Sequence, residues 1–213
     1  MKTIHKITLA AAALFAVSSS GVLLGDQADR AVAGSPGDQA LRSTADVAAK
    51  DPQTGAQVHT DTKANVLKDL GEPGKLTVDG QTEPSFEITV HSVKALDSCE
   101  LRGYGTTITP ENGIFLLLEV SARLDASAAK AVKEEIALMP LDASVFATSA
   151  GPGAALNNQL DTVASYSCAL ENPLDIAVGA GKEVRGQLML DSPYATGQVI
   201  YDPDQTGGWT WSF

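Results

Sequence analysis

The amino-acid sequence predicts an all-β fold, an antiparallel β-sandwich of about seven to nine strands with one short helix. Apolar and polar side chains alternate through residues 85–90 and 113–124, which is the period of a half-buried strand. Turn signals rich in glycine and proline separate the shorter apolar runs, for instance at residues 110–113 and 151–153. Strands do not alternate regularly with helices, so a doubly wound parallel sheet is not expected.

Residues 1–33 have the features of a secretion signal. Two lysines precede an apolar run over residues 7–17, and the small side chains of residues 31–33 predict cleavage before Gly34. The protein is therefore expected to be secreted, with retention at the cell envelope left open. The alternative is an uncleaved anchor, because residues 7–25 could span a bilayer about 30 Å thick. Only under that alternative would a membrane be a partner.

Residues 34–73 are predicted to form a flexible polar linker. They contain almost no large apolar side chains, and such a segment cannot bury enough surface to offset the entropy of ordering. The folded domain is predicted to occupy residues 74–213. The predicted fold therefore includes a disordered N-terminal segment ahead of the sandwich.

The strands of the predicted domain follow in chain order. Residues 85–90 form the first strand, and a change of parity after it predicts a bulge near His91 and Ser92. Residues 113–124 form a central strand whose first half is apolar on both faces, so that half should be covered on both sides. Residues 126–135 are rich in Ala, Lys and Glu and predict the short helix. Further strands are predicted at residues 136–139, 145–148, 165–170, 184–191, 198–201 and 209–213.

Three aromatic residues occupy alternate positions in the last predicted strand. Trp209, Trp211 and Phe213 share one face of it. A carbohydrate-binding platform is one interpretation of such a row. The favoured interpretation is that the three rings complete the core of the sandwich.

Cys99 and Cys168 are the only cysteines of the chain. A single pair in an exported protein predicts a disulfide bond. Cys168 shares parity with Tyr166 and Leu170, which predicts that its side chain faces the core. The alternative is a redox-active or metal-binding pair, but the sequence has no Cys-x-x-Cys motif and no ligand cluster beside either cysteine.

Composition and motifs argue against several functions. The net charge of -11 argues against binding to nucleic acid or to anionic lipid. Only His91 of the three histidines lies in the predicted domain, too few for a zinc site of two or three histidines. The sequence has no metalloprotease, nucleophile-elbow or phosphate-loop motif. No catalytic residues and no cofactor are predicted, and a hydrolase that uses His91 or a pair of carboxylates is the remaining enzymatic alternative.

The candidate metal site lies near the C-terminus. Asp202, Asp204 and Thr206 match positions 1, 3 and 5 of a calcium loop, and Gly207 matches position 6. Position 12 falls on Phe213, which carries no oxygen ligand in its side chain. A turn between two strands is therefore the favoured interpretation, with a calcium site as the alternative.

The candidate ligand contacts lie in the two longest turn-rich segments, residues 97–110 and 151–161. Binding specificity in sandwich folds usually lies in such loops at the ends of the sheets. Tyr104 in the first segment, and Asn157 and Asn158 in the second, are the residues predicted to contact a ligand.

Five stretches together resemble a known group of proteins, and they cover residues 86–93, 112–122, 165–168, 186–193 and 208–213. They are similar to the exported immunoglobulin-like sandwich domains of Gram-positive bacteria, a family of unknown function. Secreted mycobacterial antigens with an immunoglobulin-like fold are similar in outline. The resemblance implies an immunoglobulin-like β-sandwich over residues 75–213 and no catalytic site. The chain departs from the lipoprotein members, because no cysteine for lipid attachment follows the signal.

The leading hypothesis is a non-enzymatic binding module, secreted or associated with the cell envelope, whose partner is an unknown extracellular or envelope protein or ligand. The alternative is a structural envelope or assembly accessory that pairs with its partner through exposed edge strands. A hydrolase is the third hypothesis. Loop residues, edge strands and the surroundings of His91 are the features that distinguish the three.

Overall fold

The computed structural model describes residues 47–50, 57–60, 65–77, 83–131 and 137–213. The predicted signal peptide, residues 1–33, lies outside the described residues. The strands are β1 (Val47–Lys50), β2 (Gln57–Thr60), β3 (Val66–Lys68), β4 (Gly74–Leu76), β5 (Phe86–Leu96), β6 (Cys99–Glu100), β7 (Thr107–Ile108), β8 (Ile114–Leu124), β9 (Leu138–Pro140), β10 (Phe146–Ser149), β11 (Ala177–Gly179), β12 (Lys182–Ser192), β13 (Gln198–Tyr201) and β14 (Trp209–Ser212). The helices are α1 (Ser127–Ala131) and α2 (Val163–Ser167), with a 3₁₀ turn at Ala143–Val145.

Two large sheets enclose the core. Sheet I has the strand order β12-β8-β5-β4 and is antiparallel throughout. Sheet II has the order β1-β2-β3-β14-β13-β10 and is antiparallel except for the parallel pair β3 and β14. One continuous cluster of buried side chains joins the sheets and includes Phe86, Ile88, Val90, Leu116, Leu118, Val120, Phe146, Val199, Tyr201 and Trp211. The predicted all-β antiparallel sandwich is confirmed, although short strands raise the described number above the predicted seven to nine.

The central strand β8 shows why alternation predicted the fold well. Its residues Leu116, Leu118 and Val120 are fully buried between the sheets, as the period of two requires. Phe115 points to the opposite face and is also fully buried, because a second, smaller apolar cluster covers that half of the strand. The predicted bulge is confirmed as well, since the register between β5 and β8 shifts between Val90 and Ser92.

The aromatic residues of the C-terminal strand complete the core. Trp211 is fully buried, while Trp209 and Phe213 are partly buried and pack against the main cluster. The ring of Trp209 lies 6.2 Å from the rings of Tyr201 and Phe86, centroid to centroid. Offset aromatic pairs at this separation contribute about 0.5–1.5 kcal/mol beyond their buried area. The core interpretation of these rings is confirmed.

The structure differs from the predicted linker over residues 34–73. Strands β1, β2 and β3 all lie in that segment, and β3 pairs with β14 through Val66 opposite Trp209. The side chain of the buried Asn65 accepts a hydrogen bond of 3.0 Å from the N–H of Gly208. Strand pairing uses backbone groups, which a segment poor in large apolar side chains still carries. The count of apolar side chains therefore could not predict the pairing of residues 66–68 with β14.

A second difference concerns residues 165–170, which alternation predicted to be a strand. The chain forms helix α2 instead, because Thr162 and Ser165 make a reciprocal capping box. The Thr162 side chain accepts from the N–H of Ser165, and the Ser165 hydroxyl accepts from the N–H of Thr162. Cys168 is buried as expected, whereas Tyr166 is 73% exposed. The predicted helix over residues 126–135 corresponds to α1, and residues 132–136 lie outside the described part of the chain.

The outer edge of β12 is covered by residues 171–174. The N–H of Leu174 donates to the carbonyl of Gln187, and the N–H of Gln187 donates to the carbonyl of Asn172, at 2.8 and 2.6 Å. This approach is possible because Gly186 has no side chain: a Cβ there would lie 2.7 Å from the backbone nitrogen of Leu174. The covering segment closes an edge that would otherwise be open to pairing.

We predict that Gly186→Ala lowers the free energy of unfolding by about 2 kcal/mol, because the added methyl group meets backbone rather than a movable side chain. Gly179→Ala is the matched control, since a Cβ there would make ordinary contact with Leu138 at 3.5 Å. That control should change the free energy of unfolding by less than about 0.5 kcal/mol. Urea denaturation of the two variants measures the difference, and equal stabilities would contradict the close packing.

Candidate functional site

The disulfide bond between Cys99 and Cys168 joins two distant parts of the chain. It closes a loop of 69 residues, for which the chain-entropy model gives about 4 kcal/mol of stabilisation. The bond ties the β6–β7 hairpin to the end of α2, and the N–H of Ala169 donates to the carbonyl of Glu100 beside it. We call residues 99–108 and 162–170 together the disulfide cap. The predicted disulfide is confirmed.

The disulfide cap covers the outer face of sheet I over the first half of β8. Beneath it lies the second apolar cluster, whose buried members are Phe115, Cys168 and Met189. Half-buried apolar residues surround these three, namely Leu96, Cys99, Ile108, Leu117, Ala164 and Leu170. The cap therefore has its own small core, which fixes its position on the sheet.

A shallow groove with a volume of about 570 Å³ runs between β7 and α2 on the cap. Its lining comes from the hairpin on one side and the helix on the other, and consists of Leu101, Thr107, Ile108, Thr109, Glu111, Val163, Ala164 and Ser167. Its volume lies within the range of about 300–1,000 Å³ that is usual for ligand sites, although this groove is open.

Three large apolar or aromatic side chains stand exposed on the cap. Tyr104 is 80% exposed, Val163 is 79% exposed and Tyr166 is 73% exposed. The guanidinium carbon of Arg102 lies 5.5 Å from the ring centroid of Tyr166, and Arg102 also donates a 3.0 Å hydrogen bond to the Tyr166 carbonyl. These contacts hold the Tyr166 ring at the surface, where an aromatic ring beside an arginine is typical of interaction sites.

The structure places one predicted contact residue, Tyr104, on the cap. Tyr104 lies in the turn of the β6–β7 hairpin, as the choice of residues 97–110 implied. Sequence reasoning missed Tyr166 because it placed residues 165–170 in a strand, and it missed Val163 because it did not predict the helix that begins there. The spacing from Thr162 to Ser165 is the signal that could have identified the helix and its exposed side.

A buried carboxylate fixes the position of α2. Asp191, at the end of β12, is fully buried and accepts hydrogen bonds from the backbone N–H groups of Glu111 and Asn112 at 2.7 and 2.9 Å. It also accepts a 2.8 Å bond from the hydroxyl of Thr162, the residue that caps α2. One side chain thus holds the turn before β8 and the start of α2 together. Hydrogen bonds to a charged group are worth about 1.5–3 kcal/mol each.

The two other predicted contact residues, Asn157 and Asn158, lie outside the disulfide cap. Asn157 exchanges two backbone hydrogen bonds with Thr148 at 2.8 and 2.9 Å, which extends the edge of β10. Its side chain accepts from the N–H of Gln159, and Asn158 is exposed. Asn112 donates to the carbonyl of Gln159 at 2.7 Å and so links this loop to the Asp191 network. A ligand role for the two asparagines stays a prediction.

The candidate calcium ligands lie in the hairpin between β13 and β14. Asp204 accepts hydrogen bonds from the N–H and the hydroxyl of Thr206, and Asp202 accepts from the N–H of Gly207. Partial burial raises the pKa of Asp202, while the bond from Gly207 opposes that change and the charge of Asp204 adds to it. These contacts are those of a hairpin turn. Within the described ranges, no group of three or more His, Cys, Asp or Glu side chains could hold a metal ion.

His91 lies at the bulge of β5, on the outer face of sheet I and outside the groove lining. Its Nε2 atom is 2.8 Å from the hydroxyl oxygen of Ser121. Glu119 and Arg185 form an ion pair of 3.3 Å on the same face. Burial lowers the pKa of His91, and the charge of Arg185 lowers it further, whereas Glu119 acts in the opposite direction. Nucleophilic catalysis by a serine and a histidine needs the two in contact, as in this pair. It also needs oxyanion donors and a substrate site.

We predict that Asp191→Ala lowers the free energy of unfolding by about 3 kcal/mol, because it removes a fully buried acceptor from two backbone N–H groups and a hydroxyl. Asp191→Asn keeps one acceptor oxygen and should lower the free energy of unfolding by less than Asp191→Ala does. The control Asp161→Ala removes an exposed carboxylate close to α2 and should have an effect below about 0.5 kcal/mol. Denaturant unfolding measures all three, and equal effects of Asp191→Ala and Asp161→Ala would contradict the tethering role.

We also predict a pH dependence that comes from His91. Its folded-state pKa is below the ordinary value of 6.5, so the unfolded chain binds the proton more readily. The stability contributed by neutral His91 is therefore present above about pH 6.5 and is lost as the pH falls through the folded-state pKa. His91→Gln should lose less free energy of unfolding than wild type between about pH 7.5 and pH 5. An NMR titration that places the folded imidazole at or above 6.5 would contradict this assignment.

None of the helices in the described ranges is long and apolar enough to cross a membrane. No family model matches the chain, and no curated protein matches it. Among solved structures, the chain is similar to the 1.5 Å crystal structure of MPT63, a secreted protein from Mycobacterium tuberculosis. The two are 12% identical with a TM-score of 0.45, and the match covers 70% of this chain and 98% of that chain. Membership of the Gram-positive family stays a prediction.

Proposed function

We propose that this chain is an exported, non-enzymatic binding module, and that the disulfide cap carries its contact surface. The observation behind the proposal is the exposure of Tyr104, Val163 and Tyr166 on the same small cap, where Val163 also lines the groove. Single apolar residues on a protein surface need no explanation, but three large ones on one small cap are typical of an interaction site.

The rigidity of the cap supports a binding role. The disulfide and the hydrogen bonds of Asp191 hold hairpin and helix in place before any partner arrives. A preorganised surface loses little conformational entropy on association, so more of the contact energy is expressed as affinity. Tyrosine and arginine are also the residues that most often dominate the energetics of protein interfaces.

The partner is proposed to be a protein or ligand outside the cell. The features of residues 1–33 support export, and a disulfide-bonded cap is suited to an oxidising compartment. The net charge of -11 argues against nucleic acid as the partner. Retention at the envelope remains part of the proposal.

The test compares the cap with an equally exposed apolar residue elsewhere. Ile176 is 77% exposed and lies just before β11, outside the cap. A photocrosslinking amino acid placed at Tyr104 or Tyr166 should yield one reproducible adduct when the producing cells secrete the protein, while the same group at position 176 should not. Tyr166→Ser should reduce the adduct formed through position 104 by about tenfold, since an interface aromatic is worth about 1.5 kcal/mol or more.

The control variant Ile176→Ser should leave that yield unchanged. Equal crosslinking at position 176 and on the cap would contradict a dedicated contact surface. Intact mass of the secreted protein tests export separately: a mass that begins near Gly34 is expected, whereas a mass that retains Met1 would contradict cleavage of the signal.

A further inference from the structure

Strand β7 has an edge that no strand of the described residues covers. The small sheet of the cap contains only β6 and β7, with Cys99 opposite Ile108 and Glu100 opposite Thr107. The N–H of Leu101 donates to the carbonyl of Thr106 at 2.7 Å, so Thr106 directs its carbonyl towards β6. Backbone groups alternate along a strand, and Thr107 and Thr109 therefore direct their own N–H and C=O groups away from β6.

The free edge of β7 faces the groove. Thr107 and Thr109 are both exposed and both line it, and Val163, Ala164 and Ser167 of α2 form the opposite wall. An extended segment lying in the groove would pair with the backbone of Thr107 and Thr109 on one side and contact the side chains of α2 on the other. Main-chain pairing of this kind supplies affinity, and the groove wall supplies selectivity for alternate side chains.

The charge of the groove favours a basic occupant. Glu111 is the only charged residue in its lining, and one of its carboxylate oxygens accepts a 3.1 Å hydrogen bond from the N–H of Ala164. Arg102, on the same cap, is turned towards the carbonyls of Tyr166 and Cys168. A second copy of this chain is a poor occupant, because two molecules with a net charge of -11 repel each other.

We infer that the groove between β7 and α2 binds an extended peptide of basic and apolar residues, which adds as a strand to the free edge of β7. This inference rests on the proposed function and names the chemistry of its partner. The peptide supplies backbone groups to Thr107 and Thr109, apolar side chains to Val163 and Ala164, and a positive charge to Glu111.

The probe is a synthetic peptide of seven residues that alternates lysine and valine, titrated into the secreted, disulfide-bonded protein. We expect the amide signals of Thr107 and Thr109 to shift in NMR spectra and their hydrogen exchange to slow. A peptide with glutamate in place of lysine should bind at least about tenfold more weakly, because it brings like charges to Glu111. Equal binding of the two peptides, or no shift at β7 with millimolar peptide, would overturn the inference.

Three variants of the protein separate the contribution of backbone pairing from that of charge. Thr107→Pro removes the outward N–H and should weaken binding by about tenfold, while Thr107→Val keeps that N–H and should bind within about twofold of wild type. Glu111→Gln retains an acceptor for the N–H of Ala164 but loses the charge, and should weaken binding by about two- to fivefold. Since this last variant leaves the backbone unchanged, it decides the role of charge even where Thr107→Pro fails to fold.

Failure of this inference is distinguishable from failure of the proposed function. A cap that crosslinks its exported partner through Tyr104 but shows no peptide response at Thr107 would keep the binding module and reject strand addition. Self-association of the protein that Thr107→Pro abolishes would assign the free edge to a second copy instead, and would likewise overturn the basic-peptide inference.

Discussion

The covalent link between Cys99 and Cys168 is the constraint on which the surface of this domain depends. Without it, the β6–β7 hairpin is joined to the sandwich by its two chain ends, the contacts of Ile108 with the second apolar cluster and a few hydrogen bonds, because its own strands are two residues long. With it, hairpin and helix α2 become one rigid layer above the first half of β8. Phe115 is buried because that layer exists, and the groove exists because the layer has two walls.

The polar and apolar interactions of the structure have different roles. The core between the sheets depends on non-directional burial, with aromatic rings from both sheets in contact. The cap depends on directed interactions, since Asp191 positions the capping residue of α2 and the turn before β8 at the same time. Burial determines that two sheets pack together, whereas hydrogen bonds to a buried carboxylate determine which loops lie side by side.

Much of the sandwich could be predicted from the sequence, and the reasons are physical. The second half of β8 alternates between buried and less buried residues, so the period of two is visible in its sequence. The disulfide followed from a single cysteine pair. Strand β3 could not be found this way, because it is held by backbone pairing to a residue range more than a hundred positions away. Residues 165–167 of helix α2 were predicted to begin a strand, so the helix and its exposed residues Val163 and Tyr166 were missed. Residues distant in sequence, such as Glu111 and Ala164, meet only in three dimensions.

The position of β14 in sheet II has a consequence for the order of events during biogenesis. The last strand of the chain lies between β3 and β13, so the earliest strands of the sheet join the others only through it. Until residues 209–212 have been synthesised and paired, sheet II is divided into two separate halves. Closure of the domain therefore depends on one late pairing between residues distant in sequence, and such long-range pairing slows folding.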